Sequence, residues 1–248
     1  MRLGGDMEER KIAGTGFSYS GVRLNKLGAS EFTLVTVVID TSGSVQAYAK
    51  DMEAALREIV QSCKSSPRAD NLMLRIMQFN SKISEVHGYK LLANCNLDDY
   101  KDFLHCYGCT ALYDASENAV LAQNDYAKHL TGNDCDVNDI VIVLTDGCDN
   151  ESSSSPAAVK VALEAAMRAE ASESTVSILI GVGTAGDPAV SKVLDSFHKA
   201  AGFSQYVETK DASAKTLAKL AQFVSKSISS QSQSLGTGGP SQLLSLSI

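Results

Sequence analysis

Residues 33–40 read Thr-Leu-Val-Thr-Val-Val-Ile-Asp, a β-branched apolar run that ends in an acid. A strand covered on both faces needs no polar alternation, so this is how a buried strand of a parallel sheet reads. The same form returns in IVIVLTD at 140–146 and TVSILIGVG at 175–183, and LMLRIMQF at 72–79 is a further strand with polar interruptions. Helical periods lie between them. Tyr48, Met52, Ala55, Leu56, Ile59, Val60 and Cys63 share one face, and Leu112, Ala115, Ala119, Ala122 and Tyr126 make a second. Further periods run through Ala158, Ala162, Ala165 and Ala166, through Val190, Val193, Leu194, Phe197 and Ala201, and through Leu217, Leu220, Ala221, Val224 and Ile228. Strands alternating with helices imply right-handed crossovers, and hence an α/β, doubly wound fold: a mostly parallel sheet with helices on both faces.

The segment KISEVHGYKLL at 82–92 follows a strand too closely to be a crossover, which predicts one antiparallel strand, paired as a hairpin at a sheet edge. The domain then spans 31–225. Residues 1–30 form an N-terminal extension whose FSYSGVRL (17–24) reads equally as an extra edge strand or a loose arm. Residues 226–248 become Ser/Gly/Gln-rich and predict a flexible tail, ending in the apolar LLSLSI, which reads as an ordinary terminus or a docking peptide.

Composition narrows the function. A chain of 248 residues with 44% apolar and 21% charged residues can bury a substantial core. A net charge of −7 without a Lys/Arg cluster argues against direct nucleic-acid binding. No stretch approaches the roughly 20 apolar residues of a membrane span, and the first residues carry no export pattern. Six cysteines in such a chain read as reduced thiols, so the expected location is cytoplasmic.

In an open parallel sheet, ligands bind at the carboxyl ends of the strands, where neighbouring crossovers diverge. The loop after the first buried run reads Asp40-Thr41-Ser42-Gly43-Ser44, and the loop after the second presents Asp146 followed by Gly147. These are hard oxygen donors of the kind that suit Mg²⁺, with Mn²⁺ and Ca²⁺ also compatible. Two acids and two neutral hydroxyls leave such an ion under-neutralised, open to a carboxylate from outside.

DTSGS after a buried strand, a later Gly-x-Thr and then TDG together resemble the metal-ion-dependent adhesion site (MIDAS) of the von Willebrand factor type A (VWA) domain. The resemblance covers roughly residues 31–225 and implies a Rossmann-like sheet with the metal at its top. Carried across, Asp40, Ser42 and Ser44 are the first-loop ligands, Thr110 in GCTALYDA the second and Asp146 in LTDGCDN the third. Where bacterial relatives often have Gly-Gly-Thr, this chain has Gly108-Cys109-Thr110, which removes no ligand. The resemblance implies an intracellular bacterial or phage type of member that is not an enzyme, binds an acidic residue of a protein partner through the ion, and serves an AAA+ ATPase.

Other readings compete. Asp40 and Asp146 could serve only as capping or turn residues. The same acids could support a metal-assisted hydrolase or phosphatase, and the chain could be a structural component of a phage or stress-response assembly. His105, Cys106 and Cys109 are half of a zinc site without a second ligand pair. Asp149 and Glu151 read as residues that tune the charge of the Asp146 loop. His87, His129 and His198 are scattered and suggest no catalytic triad.

Overall fold

The run at 33–40 becomes the far end of β3 (Glu31–Asp40), flanked on one side by β4 (Leu72–Phe79) and on the other by β6 (Asp136–Thr145), both parallel to it. A computed structural model of the protein describes residues 6–168, 172–237 and 243–245. Its sheet also contains β1 (Met7–Lys11), β2 (Ser18–Val22), β5 (Ile83–Leu91), β7 (Ser174–Gly181) and β8 (Gln205–Glu208). The strand order is β1-β2-β5-β4-β3-β6-β7-β8.

From β3 the chain steps outward to β4, then returns to β6 and continues the other way through β7 and β8. The order therefore reverses between β3 and β6, which opens a crevice at their carboxyl ends. The helices are α1 (Ala49–Lys64), α2 (Leu112–Thr131), α3 (Pro156–Arg168), α4 (Pro188–Ala201) and α5 (Ala214–Thr237). Because strand side chains alternate, Val35, Val37 and Ile39 pack with Leu56 and Ile59 of α1 and Leu220 and Val224 of α5. Val38, Val141 and Val143 face the other way, against Leu112 and Ala119 of α2, Val159 and Leu163 of α3, and Phe197 of α4. This is the doubly wound arrangement that the alternation of runs predicts.

The antiparallel hairpin also forms, for β5 runs against β4. It is not the outermost strand, however. β2 lies parallel to β5 at Gly21 and Tyr89, and β1 closes the sheet antiparallel to β2, so FSYSGVRL is a strand rather than a loose arm. What fixes it is aromatic: Tyr19 packs edge-on to Tyr89 and Tyr126, and the Tyr126 hydroxyl donates to the Val22 carbonyl at 2.8 Å. At Gly21 a Cβ would stand 2.8 Å from the Tyr126 ring, so only glycine lets β2 lie this close.

The expected tail is corrected at its start. Residues 226–237 are the last turns of α5 and not a flexible segment. Their polar side chains fail to look like a core but find partners within it. Ser227 donates to the carbonyl of Phe223, one turn earlier, at 3.0 Å, as Ser225 just before them does to Ala221 at 2.8 Å. The Gln231 amide donates to the carbonyls of Asp139 and Ser174 at 3.1 and 2.9 Å, which ties α5 to the amino ends of β6 and β7. Asn138 answers by donating to the Gln231 carbonyl and the Ser234 hydroxyl. Of the apolar LLSLSI, residues 246–248 lie outside the described part, while the Leu244 carbonyl accepts from the Gln205 side chain at 2.7 Å.

Candidate functional site

Asp40 is the last residue of β3, and Asp146 follows the last residue of β6, so the switch point brings them to adjacent strand ends. Asp40 is 2% exposed. Its Oδ1 accepts from the Ser42 amide at 2.7 Å and its Oδ2 from the Thr145 hydroxyl at 2.6 Å. Burial raises its carboxyl to about 6, the bonds from Thr145 and Ser42 offset part of that rise, and the charge of Asp146 adds to it.

From the Ser42 amide that Asp40 accepts, a run of oxygens leads outward. The Ser42 and Ser44 hydroxyls stand 3.2 Å apart, and the Ser44 hydroxyl donates to Asp146 Oδ1 at 2.8 Å. Four of the five residues singled out in the sequence are thus linked by hydrogen bonds across 106 residues of chain, from Asp40 to Asp146. The first loop is held rigidly: the Thr41 amide and hydroxyl both donate to the Phe79 carbonyl at the end of β4, and the Tyr107 amide donates back to the Thr41 carbonyl.

Thr110, the fifth, is buried and positioned through its backbone. Its amide donates to Asn150 Oδ1 at 2.7 Å, while the Asn150 amide donates to the Thr110 carbonyl at 3.0 Å. The Gly43 amide donates to the Gly108 carbonyl, joining the first and second loops. Gly108 holds a left-handed φ of 75°, and a Cβ there would lie 2.9 Å from the Ser81 hydroxyl, so glycine is required on both counts. Cys109 is exposed and does not adopt a left-handed φ, so the loop accepts a side chain at that position.

Asn150 escaped the sequence reading, and Asp149, expected to tune the charge of its loop, has a structural role: its Oδ2 accepts from the Tyr113 amide in the first turn of α2 at 3.1 Å, and the same oxygen takes the Ser152 hydroxyl. Asp114 returns the favour by accepting the Ser153 and Ser154 amides at 3.1 and 2.7 Å. The third loop is therefore clasped to the start of α2, and Asp149 is a capping residue of that helix rather than a free charge. An Asp-Asn-Glu-Ser run just after TDG was the available signal, since such residues bond neighbouring backbone, but the sequence does not show whose backbone. Tyr48 also stands by the acids, where burial first and the charge of Asp146 second raise its phenol above the ordinary value.

The half-site of His105, Cys106 and Cys109 gains nothing. His105 and Cys109 are exposed while Cys106 is buried, and among the described residues no three His, Cys, Asp or Glu side chains gather to hold a metal. Elsewhere, His87 is buried against the Tyr100 hydroxyl and the Gly88 carbonyl, at 2.7 and 2.9 Å, as a packed residue of β5.

The family profile described as the von Willebrand factor type A domain matches residues 35–223. The chain is a member of the VWA domain family. Domains of this family are generally protein-interaction modules. No curated protein sequence matches the chain. Among solved structures it is similar to the PilB minor pilin from Streptococcus sanguinis, with a TM-score of 0.60 at 14% identity over 88% of this chain and 66% of that one. It is also similar to the pilus adhesin SpaC from Lactobacillus rhamnosus GG (0.57, 11%, covering 91% and 33%). A third is proximal thread matrix protein 1 from the mussel byssus (0.53, 22%, covering 81% and 47%). At such identities the likeness is one of fold, and this VWA chain spans two thirds or less of each of those proteins. Among the described residues no helix is long and apolar enough to cross a membrane.

Proposed function

We propose that this VWA domain is a metal-dependent protein-interaction module, in which Asp40, Ser42, Ser44, Thr110 and Asp146 hold one divalent cation that an acidic side chain of a partner completes. The observation that carries the reading is the run of oxygens from Asp40 to Asp146. Its 2.8 and 3.2 Å hydrogen-bonded steps bring hard oxygen donors from two loops within reach of one ion. Such donors suit Mg²⁺, with Mn²⁺ and Ca²⁺ also compatible. The ion, when bound, supplies uncompensated positive charge at the surface, since only two of the five side chains are acids. One of the mussel byssus structures has a zinc-occupied MIDAS, which supports a divalent ion in this fold.

This chain's own groups do the rest. Thr145 and the Ser42 amide orient the Asp40 carboxylate, leaving each oxygen a second lone pair. Asn150 sets Thr110, and Asp149 anchors the third loop on α2. Hydrolysis finds less support, because Asp40, the acid at the strand end, is 2% exposed and so is badly placed as a nucleophile for in-line attack on a substrate. The partner class is a protein offering Glu or Asp, and the family resemblance suggests an AAA+ ATPase in a cytoplasmic setting.

The test is capture from native lysate on immobilised chain, with Mg²⁺ and with chelator, against Asp40→Ala and Asp146→Ala. Proteins should be retained only by the wild type with metal. Capture that is indifferent to both chelation and substitution would exclude the ion as the point of contact.

A further inference from the structure

β8 ends the sheet and is paired to β7 on one side only. The Thr209 amide donates inward to the Gly181 carbonyl at 2.9 Å, so the alternation of a strand turns the amides and carbonyls of Tyr206 and Glu208 outward. A sheet edge of this kind is a template for a further extended segment.

Here a segment of the same chain lies against it. The Gln205 side chain donates to the Leu244 carbonyl at 2.7 Å, and Leu244 packs on the core cluster that includes Val207 of β8 and Phe223 and Ile228 of α5. Its neighbours turn away. Leu243 is 50% exposed and Ser245 is exposed as well, so the described part of the segment alternates in and out as an extended chain does. The sequence carries that alternation further, because Leu244, Leu246 and Ile248 are separated by single serines. An apolar and a polar side at period two is the form of peptide that adds to a sheet edge, and an ordinary terminus needs no such period.

The course of α5 favours occupation from within the chain. Gln231 ties its last turns to the amino ends of β6 and β7, the end of the sheet at which Gln205 begins β8, and only six residues separate Thr237 from Leu244. A linker this short holds what it carries near the edge at an effective concentration of about 1 mM.

We infer that the outer edge of β8 is a docking groove for an extended peptide with apolar residues at alternate positions, and that this chain's own segment about Leu244 is the occupant, shielding the edge from other chains. The site is separate from the metal reading and stands without it.

The test uses the full-length chain in chelator and a fluorescein-labelled peptide spanning residues 241–248. Leu244→Asp sets a charge against the apolar core and should free the edge, so this variant binds the peptide with a Kd of about 50 μM by fluorescence anisotropy. In the wild type the tethered segment competes, and at about 1 mM against about 50 μM it should weaken the peptide about twentyfold. Leu243→Asp, on the exposed side, should behave as the wild type. In isotopically labelled Leu244→Asp chain the amide signals of residues 205–208 should shift as peptide is added, and a peptide carrying the same Leu244→Asp change should move none of them. Equal peptide binding by wild type and Leu244→Asp, no binding by either, binding by Leu243→Asp as tight as by Leu244→Asp, or shifts that spare residues 205–208 would each overturn the proposal. A wild-type dimer that Leu244→Asp dissolves in sedimentation velocity would give the groove to a second copy's segment, and so would overturn the assignment within one chain.

Discussion

Asp40 and Asp139 lie on neighbouring strands, β3 and β6, and burial pushes both carboxyls up to about 6. Their surroundings differ entirely. Asp40 ends its strand at the switch point, with Ser42, Ser44 and Asp146 leading from it to the surface. Asp139 is opposite Leu34 in the amino half of β6, beneath α2 and α5, where Thr175, Ser172 and Gln123 lower its carboxyl only in part and its Oδ1 gains no bond among the described residues. The same perturbation thus accompanies a candidate site and an interior acid. A raised carboxyl by itself marks burial, and only the company of further donors at a strand end marks a place for a ligand.

The widest separation between the two acids should appear in metal affinity. Asp40→Ala is expected to lower Mg²⁺ affinity at least about 100-fold by calorimetry, with the circular dichroism spectrum unchanged, while Asp139→Asn stays within about twofold of the wild type. Equal losses for both would dissolve the distinction. Stability should instead treat them alike, since both carboxyls are raised to about 6. Without metal, a carboxyl raised from its ordinary 3.8 to about 6 binds its proton more tightly in the fold than in the unfolded chain. That contribution is complete below pH 3.8 and is lost as pH rises to about 6. Denaturant melts in chelator should therefore show Asp139→Asn lacking a pH-dependent decline on the order of 2 kcal/mol that the wild type has over this window. A variant that keeps the whole decline would show that Asp139 is not its source.

Metal affinity should carry the titration of Asp40. As pH falls through about 6 a proton competes for its carboxylate, so Mg²⁺ binding should weaken by up to about tenfold per unit below that value and level off above about pH 7. A dissociation constant that is the same at about pH 5 and about pH 7.5 would place the ion elsewhere. The smallest effect is reserved for Asn150→Ala. It removes the side chain that accepts from the Thr110 amide without touching any of the five donors, and should weaken Mg²⁺ about fivefold. No change would mean that Thr110 is held without it or takes no part.

What could be read from the residues alone follows from where polar groups sit. β3, β6 and β7 are apolar on both faces, so their runs stand out, and the acids that end β3 and follow β6 are conspicuous because they interrupt those runs. The roles of Asn150 and Asp149 were hidden because their work is done on the backbone of Thr110 and of α2, about 40 residues away, and no spacing rule reports that. β8 is only Gln205–Glu208, too short to show a period. The end of α5 was misread for the opposite reason. A buried stretch of Ser and Gln has the composition of a linker, yet its hydroxyls return to the helix and Gln231 reaches strand carbonyls, satisfying groups that composition treats as solvated.

The anchorage of Gln231 at the starting ends of β6 and β7 has a practical corollary. α5 runs the full depth of the molecule and leaves at the pole opposite Asp40 and Asp146. Tethering the chain to a bead, a chip or a larger scaffold just past Thr237 would leave the acid-bearing pole facing outward and unobstructed, whereas a tether near Gly108 would shade it.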